Sequence, residues 1–416
     1  MIDLKLLRAS PAQVRAALAR RGDPSLTRLL DEIEALDMKR RTLTAQLDTL
    51  KAERNDAAKS DAIAAKSGGL PPATVAERRK LGERITGLES ELRQIETTLE
   101  AKTLFVPNPP LPDVPDEQTT LRSWGTPAPK GGKPHWEIAE QRGMLDLPRG
   151  AKLAGSGFPV LMGMGARLAR ALINFMLDLH TREHGYIEVE PPFLVRRDVM
   201  TGTGQLPKFE DDVYRTTDDL FLVPTAEVPV TNLHRDEIID RPLPIGYVAY
   251  TPCFRREAGA AGKDTRGLLR VHQFDKVELV RFCRAVDSPA EHEKLTGHAE
   301  EVLRRLELPY RVAVLPANDF GFAAAKTYDL EAWAPGVGQW LEVSSSSTFT
   351  DYQARRANIR CRPRPGEKPE FVHTLNASGV ALPRTIAALL ETHQQSDGSV
   401  TVPPALVPYV GTDRIA

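Results

Sequence analysis

Residues 251–280, TPCFRREAGAAGKDTRGLLRVHQFDKVELV, predict a strand, a long flexible loop and a second strand. Side chains of a strand alternate between its two faces, so residues two apart share a face. One face of the second strand is charged and aromatic, with Arg270, His272, Phe274, Lys276 and Glu278. The other face is apolar, with Val271, Val277 and Leu279. We therefore expect an apolar back packed on the core and a polar front that forms the floor of a binding site.

The first strand ends in Phe254-Arg255-Arg256-Glu257, where alternation predicts that Arg255 and Glu257 point to the same side. Two arginines, two glutamates and an aromatic ring would then converge on one surface. The same pattern is typical of a salt-bridged, solvent-exposed face of an antiparallel strand pair. Residue chemistry in this stretch leaves both interpretations open.

The stretch resembles the second signature motif of class II aminoacyl-tRNA synthetases, and within them of seryl-tRNA synthetases. The resemblance lies in Phe-Arg-x-Glu, a loop with Gly and Lys, and then Arg270, Phe274 and Glu278 at spacings of four. A predicted helix at about residues 166–184, followed by residues 185–192, is similar to the first motif, which forms the dimer interface in that family. Arg384 and the predicted helix at 385–392 resemble the third motif. The chain departs from the family at Ala377 and Pro383, where Gly is common, and at 344–348, where Cys and Asn are common.

Composition sets broad limits on the class of protein. A chain of 416 residues is long enough for two or three domains. Its net charge of -1 gives no overall electrostatic signal for nucleic acid, so RNA contacts would come from local patches. The three cysteines have neither disulfide-framework nor zinc-ligand spacing, and no signal peptide, membrane-spanning run or Walker motif is present. We expect a cytoplasmic protein with neither a membrane nor DNA as partner.

Two heptad patterns predict an antiparallel coiled-coil hairpin near the N-terminus. The first comprises Leu26, Leu29, Ile33, Leu36, Leu43, Leu47 and Leu50, with Arg40 and Arg54 at seam positions. The second comprises Leu81, Ile85, Leu88, Leu92, Ile95 and Leu99, and residues 68–72, GGLPP, separate the two. Such arms often serve dimerisation or scaffolding, and the mixed charges on both legs are also typical of a solvated surface. In seryl-tRNA synthetases the arm holds the variable arm of the tRNA, which implies tRNA contacts at Arg40, Arg41, Arg54, Arg78, Arg79 and Lys80.

These patterns predict an α+β fold in three segments. Residues 1–105 form the N-terminal tRNA-binding domain with its coiled-coil arm at about 26–102, and residues 149–416 form a class II catalytic domain with an antiparallel sheet flanked by helices. Residues 106–148 are rich in Pro and Gly and predict a linker with little regular structure. We assign no role to His135, which lies in this segment.

The family resemblance implies a substrate pocket with two halves. Residues 225–227, Thr-Ala-Glu, predict by themselves a helix cap with an acidic first turn. The resemblance implies instead that serine is held by Thr225, Ala226, Glu227, Arg255, Glu278 and Ser378. It implies that ATP is held by Arg255, Arg256, Glu257, Arg270, Val271, Phe274, Glu342, Val343, Ser344, Ser345 and Arg384, with Glu342 and Ser345 as Mg²⁺ ligands. Arg255 and Arg384 are the implied catalytic residues.

The implied activity is a serine–tRNA ligase that uses ATP and Mg²⁺. It would convert L-serine to seryl-adenylate and pass the seryl group to tRNA(Ser), with tRNA(Sec) as a further acceptor left open, and it would act as a homodimer. Adenylate formation needs no general base because the serine carboxylate is already ionised, so catalysis would rest on positioning and electrostatics. Two other classes remain: a paralogue that loads a carrier protein or resists a serine-like antibiotic, and a catalytically silent RNA-binding or scaffold protein.

Overall fold

The computed structural model describes residues 1–65, 71–257, 266–364 and 366–416. Most of the predicted GGLPP break and the loop at 258–265 lie outside the described residues. The chain divides into two compact units, Ile2–Val106 and Pro107–Ala416, and Met1 belongs to the second. In the described residues, no helix is both long enough and apolar enough to cross a membrane.

The first unit is helical. Its helices are α1 (Leu4–Ala9), α2 (Pro11–Ala19), α3 (Ser25–Ala65) and α4 (Pro72–Thr103). Ion pairs join Glu32 to Lys102, Lys39 to Glu91 and Asp61 to Arg78, so residue numbers rise along α3 as they fall along α4. The predicted antiparallel hairpin is therefore confirmed. At about 1.5 Å per residue, the 41 residues of α3 extend roughly 60 Å.

Helix α3 packs against α1, α2 and α4 through an apolar side, and the buried residues of α3 include the acid Asp37. Leu43, Leu47 and Leu50 are buried as predicted, whereas Leu30 takes the buried position expected for Leu29. Asp37 is only 3% exposed, and Arg8 and Arg40 neutralise it at 2.9 and 2.8 Å. Arg54, four residues beyond Leu50, is exposed, and after the hydrogen bond from Lys51 its charge helps to lower the pKa of Glu89 on α4.

The second unit is built on one large sheet. Its strands are β1 (Thr119–Trp124), β2 (Leu145–Asp146), β3 (Val160–Leu161), β4 (Ile187–Glu188), β5 (Leu194–Arg196), β6 (Leu220–Leu222), β7 (Ile238–Ile239), β8 (Ile245–Phe254), β9 (Gln273–Cys283), β10 (Tyr310–Val314), β11 (Lys326–Ala334), β12 (Gln339–Thr348), β13 (Arg360–Cys361), β14 (Glu370–Phe371), β15 (His373–Ala381), β16 (Val400–Thr401) and β17 (Arg414–Ile415). The large sheet has the order β1-β10-β11-β12-β15-β9-β8-β4, and every pair in it is antiparallel except β4 with β8. The predicted α+β class is confirmed.

Helices cover this sheet and close its core. They are α5 (His135–Gln141), α6 (Leu147–Ala154), α7 (Met164–Arg182), α8 (Arg197–Thr203), α9 (Glu227–Thr231), α10 (Ser288–Arg305), α11 (Tyr352–Ala357), α12 (Leu382–Thr392) and α13 (Val407–Val410), with short 3-10 helices at Glu210–Asp212, Asn232–His234 and Ala285–Asp287. The main core holds apolar side chains of α7, α10 and α12 against Val277 and Leu279 of β9. The predicted apolar back of the floor strand is thus confirmed.

The segment at 106–148 has more regular structure than its composition predicts. It contains β1, which pairs with β10 at the edge of the large sheet, and α5. His135 is fully buried and lies 2.7 Å from Glu391. The prediction of a linker with little regular structure is therefore wrong, because long-range pairing orders a Pro- and Gly-rich chain that has no local periodicity.

Candidate active site

A cavity of about 840 Å³ opens over β9, β12 and β15. Both halves of the predicted pocket contribute to its wall. The predicted site residues that line it are Thr225, Glu227, Arg255, Glu257, Arg270, Val271, Phe274, Glu342, Val343, Ser344, Ser345, Ser378 and Arg384. The charged front expected for β9 is therefore the floor of a concave site, and the alternative of an open salt-bridged surface is wrong.

One end of the cavity holds two buried carboxyl groups. Glu227 is 7% exposed and Glu278 is 0% exposed. The Asn376 side-chain amide donates to both of them, at 3.1 Å to Glu227 and 2.7 Å to Glu278. Gln353 donates to the other oxygen of Glu227 at 2.6 Å, and the Lys276 ammonium lies 2.5 Å from Glu278. Neutral amides and the Lys276 ammonium thus hold the two acids in place.

Burial raises the pKa of the Glu227 carboxyl to about 7, and the nearby charge of Glu278 adds to the shift. A carboxyl group at this position can accept a proton near neutral pH and lose it when a cation arrives. This end of the cavity therefore suits a ligand that brings a positive charge, such as an ammonium group.

The other end of the cavity is lined by arginines and an aromatic ring. The Arg255 guanidinium lies 5.1 Å from the centre of the Phe274 ring, and its Nε donates to Pro224 O at 3.3 Å. Arg270 pairs with Glu257 at 2.6 Å. A half-buried aromatic ring in the cavity wall beside planar cations suits a flat base with an attached polyanion.

Glu342 and Ser345 face the cavity together because β12 contains a bulge. In a regular strand, residues three apart point to opposite faces. Glu342 pairs with Glu331 and Ser344 with Leu330, so Val343 is the extra residue that brings Glu342 and Ser345 to one side. Arg384 donates to Glu342 O at 2.9 Å and to its carboxylate at 3.1 Å, and its Nε donates to Leu269 O at 3.0 Å.

The donors around Glu342 fit a hard divalent cation. Glu342 and Ser345 offer a carboxylate and a hydroxyl, and Mg²⁺ is commonly held by one or two carboxylates together with substrate phosphates. Asp329 pairs with Ser345 across the sheet, and its Oδ1 is buried without a hydrogen-bond partner. Burial and the charge of Glu342 raise the pKa of Asp329 to about 8. Among the described residues, no group of three or more His, Cys, Asp or Glu could hold a metal by itself, so a cation here would need ligand oxygens as well.

Three predicted site residues stand apart from the cavity wall. Arg256 is exposed, and its backbone N–H donates to Asp212 O at 2.9 Å, so the side chain does not line the cavity as predicted. The Ala226 side chain is fully buried in a core cluster. Glu278 is not part of the wall either, and it reaches the site through Asn376.

The strand boundaries also differ from the prediction. β8 ends at Phe254, and Glu257 has a φ of 49°, so a turn and not strand alternation brings Arg255 and Glu257 to the same cavity. β9 begins only at Gln273, so Arg270 and His272 are not strand residues. His272 lies behind the site, where its Nδ1 donates to Arg255 O at 3.0 Å.

Sequence reasoning placed Lys276 on the polar face of the floor strand but gave neither it nor Asn376 a site role, and it missed Gln353. A signal existed for the first two, because Asn376 is two residues from Ser378 and Lys276 is two residues from Glu278, so each pair shares a strand face. Gln353 lies on α11, far from the motifs in sequence, and only the tertiary structure brings it to Glu227.

Most of the basic residues predicted to bind tRNA are paired with acids of the same unit. Arg40 and Arg41 contact Asp37, Arg78 contacts Asp61 at 3.0 Å, and Arg79 contacts Glu83 at 3.2 Å. Arg54 and Lys80 are exposed. The arm therefore presents a mixed-charge surface, and any binding to phosphate would have to exchange some of these pairs.

Known proteins resemble this chain over its full length. A serine–tRNA ligase of Gemmatimonas aurantiaca is 56% identical over 425 residues, which is 100% of both proteins. The crystal structure of a seryl-tRNA synthetase from Pyrococcus horikoshii complexed with ATP is 40% identical and superposes with a TM-score of 0.95 over 100% of this chain and 99% of that one. The cytoplasmic serine–tRNA ligase of Naegleria fowleri in complex with AMP is 30% identical, with a TM-score of 0.88 over 100% of this chain and 98% of that one.

Family models divide the chain in the same way. Residues 208–393 match the tRNA synthetase class II core domain (G, H, P, S and T), and residues 1–110 match the seryl-tRNA synthetase N-terminal domain. With the antiparallel sheet and its two-ended cavity, the core match defines a class II aminoacyl-tRNA synthetase. The chain belongs to the seryl-tRNA synthetase family.

Proposed function

We propose that this chain is a serine–tRNA ligase that joins L-serine to ATP as seryl-adenylate, releases pyrophosphate, and transfers the seryl group to tRNA(Ser). One observation carries the proposal. A single cavity has an acidic end that suits an ammonium group and an arginine-lined end that suits a nucleotide. The full-length relatives named serine–tRNA ligase and the ATP and AMP complexes of related proteins support it.

The acidic end is assigned to serine. The ionised Glu227 carboxylate would accept hydrogen bonds from the serine ammonium, and Thr225 lies beside it, accepting from Glu227 N at 3.2 Å. Ser378 lines the cavity and would pair with the serine hydroxyl, and Glu278, which accepts from Ser378 at 3.4 Å and from Asn376 at 2.7 Å, would hold these two side chains toward serine. A site that pairs a hydroxyl strongly rejects an analogue without one, because its own polar groups are then left unpaired.

The opposite end is assigned to ATP. Adenine would stack on Phe274, Glu257 and Arg270 would border the base, and Arg255 would hold the α-phosphate, where negative charge builds as the serine carboxylate attacks. Arg384 would reach the γ-phosphate. The arginines would stabilise this charge in a site that excludes water, so their contribution is mainly electrostatic. Mg²⁺ held by Glu342 and Ser345 would neutralise phosphate charge when bound.

The helical hairpin is assigned to tRNA. We propose that Arg40, Arg41, Arg54, Arg78, Arg79 and Lys80 contact the acceptor RNA, that residues 1–105 form the tRNA-binding domain and residues 149–416 the catalytic domain, and that two copies form a homodimer. Whether tRNA(Sec) is also a substrate depends on the same arm. We also propose a cytoplasmic location, which the three buried free thiols support because such thiols persist in reducing compartments.

The test is the exchange of pyrophosphate into ATP with each of the twenty amino acids, in the presence of Mg²⁺ and without tRNA. We expect exchange with serine alone. Charging of a tRNA mixture with labelled serine then identifies the acceptor. A folded protein that gives no exchange with any amino acid would contradict the proposal and favour the silent RNA-binding class.

A further inference from the structure

His135 joins three parts of the second unit that are far apart in sequence. It begins α5, and its ring and the Glu391 side chain are both 0% exposed. Glu391 Oε1 lies 2.7 Å from His135 Nδ1 and accepts from His135 N at 2.9 Å, while its Oε2 accepts from Val337 N at 3.0 Å. On the other side of the ring, Leu268 N donates to His135 Nε2 at 3.1 Å.

These partners determine the tautomer of the ring. Nε2 must be unprotonated, because it accepts from a backbone N–H. A neutral imidazole then carries its proton on Nδ1, which donates to the Glu391 carboxylate. Each ring nitrogen therefore has one hydrogen-bond partner. The ring connects Glu391 of α12 to the backbone N–H of Leu268.

That backbone borders the nucleotide end of the cavity. Leu268, Leu269 and Arg270 line the wall, and Leu269 O accepts from Arg384 Nε at 3.0 Å. Arg384 and Glu391 lie at opposite ends of the same helix, α12. These contacts link two ends of α12 through a chain of residues, which we call the circuit. It begins at Glu391 of α12 and ends at Arg384 of the same helix. Its intermediate members are His135, Leu268 and Leu269.

The chain packs against the imidazole without spare room. Gly267 has a φ of 68°, and a Cβ on it would come within 2.4 Å of His135 Nε2. Arg266 lies over the neighbouring Trp136 ring at 4.8 Å. Residues 135 and 136 thus hold residues 266–268 by contact as well as by hydrogen bonding.

We propose that His135 and Glu391 are positioning residues for the ATP subsite: they hold the 268–270 backbone so that Arg270 and Arg384 face the nucleotide. The inference rests on the proposed function. The serine subsite is built from Glu227, Glu278 and Asn376, whose side-chain hydrogen bonds in the described part of the chain go to one another and to Gln353 and Ser378, outside this circuit. Loss of the circuit should therefore raise the KM for ATP and leave the KM for serine unchanged.

Two substitutions at residue 135 test the hydrogen bonds to Glu391 and to Leu268 separately. In His135→Asn, the amide can still donate to Glu391 but is too short to accept from Leu268. In His135→Gln, the longer side chain can accept from Leu268, and the backbone N–H of residue 135 still donates to Glu391, so the circuit stays connected. We expect His135→Asn to raise the KM for ATP roughly fivefold to tenfold, the effect of about one hydrogen bond, and His135→Gln to stay within about twofold of wild type.

The measurement is serine-dependent pyrophosphate exchange, with active sites titrated so that only folded protein is counted. His393→Asn is the matched control, because His393 is a half-buried histidine that follows α12 and bonds to Leu306 O at 3.0 Å, outside the circuit. A merely structural role would lower the melting temperature in all three variants with no change in the KM for ATP, and that result would overturn the inference. If wild type shows no exchange, the proposed function itself fails.

A second variant approaches the same contact from the other side. Gly267→Ala would push Leu268 away from the ring, and we expect the same selective rise in the KM for ATP. If His135→Asn does not fold, this variant decides the question, and an unchanged KM for ATP in folded Gly267→Ala would contradict the inference.

Discussion

Glu227 and Glu278 illustrate how a pocket can hold two acids without a matching pair of cations. Asn376 donates to both, so neither carboxyl group is left without a partner; Lys276 pairs with Glu278, and the charge of Arg255 also acts on Glu227, yet the pKa of Glu227 stays raised. An arriving ammonium group would supply the missing charge. Selectivity for a cationic ligand therefore depends on the shortage of positive charge at this end of the cavity.

The affinity for serine should depend on pH through Glu227. The pKa of its carboxyl is raised to about 7, so the group is protonated below that pH and ionised above it. An ammonium group is attracted only by the ionised form. Between pH 8 and pH 6 we expect the KM for serine to rise roughly tenfold while the KM for ATP changes little.

Glu227→Gln is the control for this pH effect. It should bind serine weakly at every pH and remove the pH dependence, as measured by pyrophosphate exchange in buffers of constant ionic strength. A wild-type KM for serine that is flat from pH 6 to pH 8 would contradict the assigned role.

Adjacent arginines allow a matched test of the nucleotide end. Arg255 lines the cavity over Phe274, whereas Arg256 is exposed and outside the wall. Arg255→Ala should lower the rate of adenylate formation by roughly 10²- to 10³-fold, because one donor to the developing charge is lost. Arg256→Ala should stay within about twofold. Equal losses in single-turnover assays of both variants would show that the structure assigns the wrong arginine.

At the scale of single elements, two β-bulges shape the site. The bulge at Val343 brings Glu342 and Ser345 to one face of β12. A second irregularity in β15, where Ser378 pairs with Glu278 and Val380 with Val277, makes Gly379 the extra residue beside the serine end. In each bulge the extra residue changes the strand face on which the following side chains lie, so side chains that strict alternation would place on opposite faces share one face.

The packing of α7 on α10 should make stability sensitive to acid. His180 Nδ1 lies 2.9 Å from His184 Nδ1, and the His184 ring stacks on His298 at 4.0 Å. Burial, with smaller contributions from His184 and His298, lowers the pKa of His180 well below its usual value. The folded state therefore resists protonation that the unfolded chain accepts, so this stability is present above a pH of about 6.5 and is lost as the pH falls below it.

We expect wild type to lose about 1 kcal/mol more of its free energy of unfolding than His180→Gln does between pH 7.5 and pH 5.5. Urea unfolding followed by circular dichroism at both pH values measures the difference. Identical losses in the two proteins would show that His180 does not contribute to the acid response.

At the scale of the whole molecule, the two compact units are assigned different binding functions. The cavity and every residue assigned to serine and ATP lie in Pro107–Ala416, whereas the basic residues assigned to tRNA lie in Ile2–Val106. Activation of serine should therefore not depend on the helical hairpin, while transfer to tRNA should.

Deleting residues 30–98 and joining the ends with a short Gly-Ser linker tests this division. We expect serine-dependent pyrophosphate exchange to stay within about threefold of wild type and tRNA charging to fall by 10²-fold or more, because the phosphate contacts of the arm are lost. Full-length protein with Arg79→Glu and Lys80→Glu is a milder variant that should show a smaller loss of charging alone. Normal charging by the armless protein would contradict the role assigned to α3 and α4.

Local patterns were sufficient for much of this architecture. Heptad spacing predicted the hairpin, because a repeat of 3.5 residues is a property of neighbouring residues alone. Alternation predicted that Val277 and Leu279 face the core and that Phe274 faces a site. The family resemblance, carried by ordered motifs, implied the wall of the cavity from Thr225 to Arg384 with few exceptions.

The sequence by itself determined the coiled coil, the α+β class and the family, because each is written in spacings that need no knowledge of distant residues. Only the tertiary structure decided that residues 106–148 hold a sheet strand and a buried histidine, that Gln353 and Asn376 organise the acidic end, and that bulges turn Glu342 toward Ser345. Those features depend on which strands pair and in which register. Such pairing is settled by packing across the whole unit, which no local pattern contains.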